Sequence, residues 1–239
     1  MKLIVYADPK QLAEAAAQEI ISLLIRKPDA VICMASGNSP KLTCETFVEM
    51  AAMQGTDTGK FFFVGLDEWV GIPPETHGSC HHDFRVRLFD PLGMGPLRYH
   101  LFDGMSADLD HECRKMDVVI RDKGGIDLMI VGIGMNGHIG FNEPGCDMNA
   151  LAHVAQLEPI TASVGQQYFK TAMKLERGIT LGLGHLKNAR KVILLATGQA
   201  KQDIVSKALN QPVSSTLPAS VMQMLAHGVV MVDLAAAGS

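Results

Sequence analysis

The chain has 239 residues, 47% hydrophobic and 19% charged, a balance that excludes a disordered chain and supplies enough apolar material for a buried core. A net charge of −4 with no basic stripe argues against nucleic acid as the partner, and no run approaches the roughly 18 apolar residues of a membrane span. The five cysteines, Cys33, Cys44, Cys80, Cys113 and Cys146, are odd in number and form no C-x-x-C pair, which fits the reduced thiols of a cytoplasmic protein better than a disulfide framework.

The first apolar run, 3–6, is broken by Asp8 and Pro9; it is too short for a signal peptide and reads as a strand. A helix should follow, with Asp8 as N-cap, Pro9 in the first turn, and Leu12, Ala16, Ile20, Leu23 and Leu24 on one face. Further strands are predicted at 30–34, 61–65, 128–131, 179–183, 192–196 and 229–232. Several are nearly continuous in Val, Ile, Leu and Met, as in strands covered on both faces of a parallel sheet. Helical patterns fall at 41–53, 82–88, 107–122, 199–209 and 219–225. The alternation predicts βαβ units in a three-layer α/β/α arrangement with a mostly parallel central sheet. With no repeat and no linker, one domain over 1–239 is expected, with a mobile flap around 147–177 where strand patterning fails. Lys187, Arg190 and Lys191 read as a solvated cluster near a helix end.

In an open parallel sheet, ligands bind beyond the carboxyl ends of the strands. Four loops in that position are unusual. After 30–34 comes Ser36-Gly37-Asn38-Ser39-Pro40 and then a helix, a small-residue junction whose free N–H groups suit a phosphate, or else an ordinary strand–turn–helix connection. It lacks the Walker A spacing. After 61–65 come Asp67 and Glu68 beside the single Trp, Trp69. A carboxylate near apolar walls can have a raised pKa and act as a general base, though one of these acids could equally cap a turn. After 128–131 comes a glycine-dense stretch containing Asn136, Gly137, His138 and Glu143. Its glycines permit close approach to a ligand, and His138 and Glu143 are candidate acid–base partners. After 192–196, Lys201 sits early in a helix, a poor place for a cation unless it meets an anion or solvent. The run Cys80-His81-His82-Asp83 invites a metal reading, but adjacent helical histidines diverge by about 100° and no second ligand cluster accompanies them, so no metal and surface histidines are expected.

The segments LDEWVG, GIGMNGHIGFNEPG and TGQAKQD, in this order, resemble the glucosamine-6-phosphate deaminase/isomerase family over essentially the whole chain. KPDAVICMASG, LDEWV and RGITLGL look closer still to its galactosamine-6-phosphate isomerase branch. The resemblance implies a Rossmann-like fold and a small-molecule sugar phosphate as partner, converted without any cofactor to a ketose 6-phosphate and ammonia. It implies that Asp67 moves a proton between C2 and C1, that His138 opens the sugar ring with help from Glu143, and that Ser36, Gly37, Asn38, Ser39 and Lys201 hold the phosphate. Gly137 lies on the same glycine loop. Two departures stand out. Asn136 occupies a place where relatives often carry Asp, and since Asn cannot ionise, Glu143 must carry more of that role. The neutral stretch 160–163 offers no counterpart of an Arg that helps bind phosphate in some relatives.

Two other readings share this outline. A 6-phosphogluconolactonase-type hydrolase would have no need of Glu143 and typically carries Thr-Ala-Ser after the Gly-His pair, where this chain has Ile139-Gly140-Phe141. A non-catalytic sugar-phosphate sensor usually travels with a DNA-binding segment, and a chain that starts directly on a strand leaves no residues for one. A homo-oligomer is compatible with the sequence, which does not set the number of subunits.

Overall fold

A computed structural model describes residues 1–238. The strands are β1 (Lys2–Tyr6), β2 (Val31–Met34), β3 (Phe62–Gly65), β4 (Asp67–Trp69), β5 (Tyr99–His100), β6 (Leu128–Gly132), β7 (His153–Gln156), β8 (Arg177–Thr180), β9 (Val192–Ala196) and β10 (Gly228–Asp233). The α-helices are α1 (Pro9–Arg26), α2 (Asn38–Gln54), α3 (Cys80–Phe84), α4 (Asp90–Leu92), α5 (Leu109–Asp122), α6 (Pro159–Gly165), α7 (Leu183–Asn188), α8 (Gln202–Asn210) and α9 (Leu234–Ala237). Seven strands form one sheet in the order β1-β10-β9-β6-β2-β3-β5, and every neighbouring pair is parallel.

The near-continuous apolar strands explain the layers. Along β2, Val31 and Cys33 join one buried cluster with Met116 and Ile120 of α5 and Ile204 and Val205 of α8. Ile32 and Met34 join the opposite cluster, with Leu12, Ile20 and Leu24 of α1 and Phe47 of α2. Successive side chains on a strand point to opposite faces, so a run apolar at every position requires a helical layer on each side. α1 starts as its sequence dictates: the Asp8 carboxylate accepts the Gln11 amide at 2.8 Å and Pro9 opens the first turn. Among the described residues no helix is long and apolar enough to cross a membrane.

Several elements differ from the sequence expectation. The apolar run at 179–183 is not a strand of the central sheet. Its first part belongs to β8, which pairs antiparallel with both β4 and β7 in a separate three-stranded sheet, and Leu183 already begins α7. The acidic stretch after β3 is not a connector either, because Asp67–Trp69 is β4, with Asp67 opposite Thr180. The segment where strand patterning fails nonetheless contains β7 and α6. The helix expected at 199–209 divides into a tight 3-10 turn, Gln199–Lys201, followed by α8, and that at 219–225 is a 3-10 helix, Pro218–Met224.

The basic group at 187–191 is not a merely solvated cluster. Arg190 Nη1 and Lys27 Nζ both reach the buried Asp127 carboxylate at 2.8 Å, which also accepts the Val31 amide at 2.8 Å, and Lys191 pairs with Glu19 at 2.7 Å. Asp127 thus ties the starts of β2 and β6 together. Replacing it with Ala leaves the Val31 N–H without its acceptor, while the two cations can turn to water. Asp127→Ala is expected to cost about 2 kcal/mol, read as a urea midpoint lowered by roughly 1 M. An unchanged midpoint would show the cluster to be energetically silent.

Candidate active site

The central sheet reverses its winding between β2 and β6: from β2 the chain proceeds to β3 and β5 on one side, from β6 to β9 and β10 on the other. Such a switch point opens a crevice at the strands' carboxyl ends. β9, β6, β2 and β3 are adjacent there, and at about 4.8 Å per strand their following loops span roughly 15 Å. These are the four loops singled out in the sequence. They enclose a cavity of about 470 Å³ lined by Ser36–Ser39, Asp67, Cys80, Gly134, His138, Thr161, Tyr168 and Lys201, among others.

One part of the cavity wall suits an anion. α2 begins at Asn38 with Gly37 as N-cap and no side-chain cap, leaving first-turn amides unpaired by any capping group. The Asn38 amide bears on the Tyr168 hydroxyl. Ser39 Oγ lies 2.8 Å from Thr197 Oγ1, joining the loop after β2 to the loop after β9. Lys201 stands in the 3-10 turn before α8 rather than in the helix itself. Its Nζ donates to the Ile133 carbonyl at 2.7 Å, burial pulls its pKa down, and it forms no salt bridge among the described residues. A half-buried cation without an acidic partner among the described residues, lining the same cavity as a helix start that no side chain caps, is a ready anion site.

Acid–base groups line the same cavity. Asp67 lines the cavity from β4, and burial pushes its pKa up to about 7 although the Cys80 thiol, 3.7 Å away, pulls the other way. Glu68 points away into a dry pocket. Burial raises its carboxyl to about 7 as well, against the backbone amides of Trp69, Cys80 and His81 that donate to it at 2.8, 3.1 and 2.9 Å. Glu68 is therefore the clamp that fixes the start of α3 to β4, and Asp67 is the acid left facing the cavity.

In the same cavity, His138 Nδ1 lies 3.1 Å from Thr161 Oγ1 and 3.5 Å from Glu143 Oε2. Asn136 Nδ2 donates to the same Glu143 oxygen at 2.8 Å, while its own Oδ1 accepts the His138 amide at 3.2 Å. Burial alone would raise the Glu143 carboxyl; the hydrogen bond and charge of His138, with Thr161 and Asn136, outweigh it and hold it below the usual carboxylate range. Glycines let the imidazole sit so close to the backbone. A Cβ on Gly134 would collide with the His138 ring, and Gly137 turns at φ 85°.

A family model described as glucosamine-6-phosphate isomerases/6-phosphogluconolactonase matches residues 7–231. The chain belongs to this family. It is 37% identical to the putative deaminase AgaI of Escherichia coli (strain K12), over 93% of this chain and 88% of that one. It is 33% identical to the glucosamine-6-phosphate deaminase of Bacillus pumilus (strain SAFR-032), over 98% and 97%. A solved monomeric glucosamine-6-phosphate deaminase superimposes with a TM-score of 0.96 at 29% identity, covering 100% of this chain and 99% of its own.

In this member of the glucosamine-6-phosphate isomerase/6-phosphogluconolactonase family, Ser36, Gly37, Asn38, Ser39, Asp67, His138 and Lys201 all line the one cavity. Glu143, buried behind His138, and Asn136 reach it through hydrogen bonds, while Gly137 packs against Leu217 and Ile204 and serves the loop's shape. Three cavity residues had no sequence signal of their own. Thr161 sits in the neutral stretch of α6, Tyr168 in a 3-10 turn after it, and Cys80 in the run that suggested a metal. The histidines of that run are not on the surface: His81 Nε2 lies 3.1 Å from the Phe102 carbonyl, and His82 is largely covered, its Nδ1 3.9 Å from Asp83 Oδ1. No three His, Cys, Asp or Glu side chains are grouped to hold a metal among the described residues.

Proposed function

We propose that this chain isomerises and deaminates an amino-hexose 6-phosphate, galactosamine 6-phosphate or glucosamine 6-phosphate, to the 2-ketohexose 6-phosphate and ammonia. One observation carries the reading: a cavity-facing carboxylate with a raised pKa, an imidazole–carboxylate pair and an anion site of uncapped helix amides and a lysine all belong to one cavity. Relatives at 33–37% identity named as deaminases support it.

The steps follow from the groups present. The phosphate sits on the first-turn amides of α2, Ser36, Ser39 and Lys201, which fixes the carbon chain relative to Asp67 and His138. His138, its Nδ1 committed to Glu143 and Thr161, uses Nε2 to take the proton of the O1 hydroxyl and return one to O5, opening the ring to the aldehyde. Asp67, ionised, takes the proton from C2 while the aldehyde oxygen O1 accepts one by way of solvent, which regains it as the ketone forms, and the resulting enolamine receives the Asp67 proton at C1. The nitrogen lone pair moves into a C2–N double bond, water adds at C2, and ammonia leaves to give the ketone. Proton transfers and one water account for every atom. The buried free thiols of Cys33, Cys44, Cys80 and Cys113 support a reducing, cytoplasmic setting for this chemistry.

Lys201→Met should raise KM about 10- to 100-fold while kcat falls less, because the lost charge holds a group remote from the reacting carbons. An unchanged KM would remove Lys201 from the phosphate site. The deciding experiment is ammonia release from galactosamine 6-phosphate beside glucosamine 6-phosphate, with acid release from 6-phosphogluconolactone in parallel. Turnover of the lactone alone would replace the proposal with a hydrolase, and binding without turnover of any of the three would leave a sensor.

A further inference from the structure

The cavity wall holds one thiol that the steps above do not use. Cys80, at the first position of α3, is 3% exposed. Its sulfur accepts the Ser36 hydroxyl at 3.0 Å, and its thiol donates on to Asp67 Oδ1 at 3.7 Å, a long, weak sulfur–oxygen hydrogen bond. Ser36, Cys80 and Asp67 thus form a directed chain from the loop after β2 to β4. The thiol is held in place by three features that do not depend on a ligand. Glu68 binds the amides of Cys80 and His81, Ser79 caps the helix by accepting the His82 amide at 3.0 Å, and Ser79 Oγ also donates to the Pro74 carbonyl at 2.9 Å.

We propose that Cys80 is a positioning residue for Asp67: its thiol donates the one side-chain hydrogen bond that Asp67 receives in the cavity wall, orienting the carboxylate and setting how strongly it holds a proton. This assignment rests on Asp67 being the base of the reaction proposed above, although the contact itself does not. A thiol suits the task because it stays protonated. Burial, with Glu68, Asp67 and Asp83 nearby, drives its own pKa well above the ordinary range, so it donates throughout neutral pH and is not itself a nucleophile. The groups facing this pair are Glu68 on the same strand, Asp83 on α3, Cys33 on β2, His138 in the same cavity and Tyr168 beyond α6. Of these, Glu68 and Asp83 are the carboxylates, whereas burial keeps the Cys33 thiol and the Tyr168 phenol neutral at neutral pH; it is burial itself that opposes a charge on Asp67. The Cys80 and Ser36 pair is the neutral donor set that favours it.

The test is the titration of the Asp67 carboxyl, followed by carbon NMR on carboxyl-labelled protein, in the wild type, Cys80→Ala and Cys80→Ser. Removing the donor should move the Asp67 titration up by about half a pH unit, and serine, a stronger donor, should restore or lower it. The acid limb of kcat/KM should follow the same order. Equal titrations in all three proteins would overturn the proposal, as would an equal shift in the alanine and serine variants, which marks mere packing. Should Cys80→Ala not fold, a Cys80→Ser carboxyl titrating above the wild type overturns it as well. NMR needs no turnover, so a chain that failed every amino-sugar assay would still report on the Cys80–Asp67 contact.

Discussion

Asp67→Asn is expected to lower kcat for the amino-sugar phosphate by about 1,000-fold or more while binding survives within a few fold. Asparagine fills the same volume but cannot take a proton from C2, and a positioned general base contributes roughly 100- to 10,000-fold. Because the carboxyl titrates at about 7, wild-type kcat/KM should fall as the pH drops below 7. The same substitution should stabilise the fold. A carboxyl whose folded pKa lies above its unfolded one binds protons more tightly when folded, so the wild type loses stability as pH rises from about 4 to about 7. Asp67→Asn escapes that loss. Its advantage, on the order of a few kcal/mol, should be complete above pH 7 and vanish near pH 4 in paired denaturation curves. A variant that keeps its rate would show that Asp67 is not the proton shuttle. One no more stable at pH 8 than at pH 4 would show that its charge costs the fold nothing.

His138→Gln should reduce turnover of the closed sugar about 100- to 1,000-fold. The discriminating substrate is an amino-aldose 6-phosphate methylated at O4 and O5, which cannot cyclise. If His138 serves ring opening, this analogue should be processed with a far smaller deficit, since the step lost in the variant is one the analogue skips. Equal deficits on both substrates would move His138 to a later step. Glutamine cannot exchange a proton at the Nε2 position, but it can keep a hydrogen bond to Thr161 or Glu143, so the loop should stay in place.

Much of this site was legible in the sequence because it lies where chemistry has to break local rules. Glycines crowded around His138, acids directly after a buried strand and a lysine opening a helical segment all conflict with ordinary packing, and each marks a loop at the switch point. What stayed hidden was made by tertiary contact. Thr161 is one polar residue in a neutral stretch, and nothing about its neighbours announces that α6 will set its hydroxyl against His138. The misplacement of β8 has a different cause. Ile179 and Leu181 are fully covered, as in a central strand, but a small sheet packed against α5 buries its residues equally well. An apolar run reports coverage, and only pairing reports which sheet supplies it. The Cys-His-His-Asp run misled in a third way, since its histidines read as surface residues, whereas His81 and His82 are largely covered by the fold around them and Cys80 meets Asp67.

The pairing of β1 with β10, and with no other strand, sets a schedule for the ribosome. Some 220 residues separate Tyr6 from Gly228, so at 5–20 residues per second the first strand waits roughly 10–45 s for its partner to be made. Meanwhile its Leu3 and Val5 and a full row of backbone donors are open to strangers. The lysine at position 2, the brevity of the strand and the prompt formation of α1 behind it guard against mispairing, and the guard is still needed after folding, because β1 stays an edge strand with Leu3 and Val5 exposed.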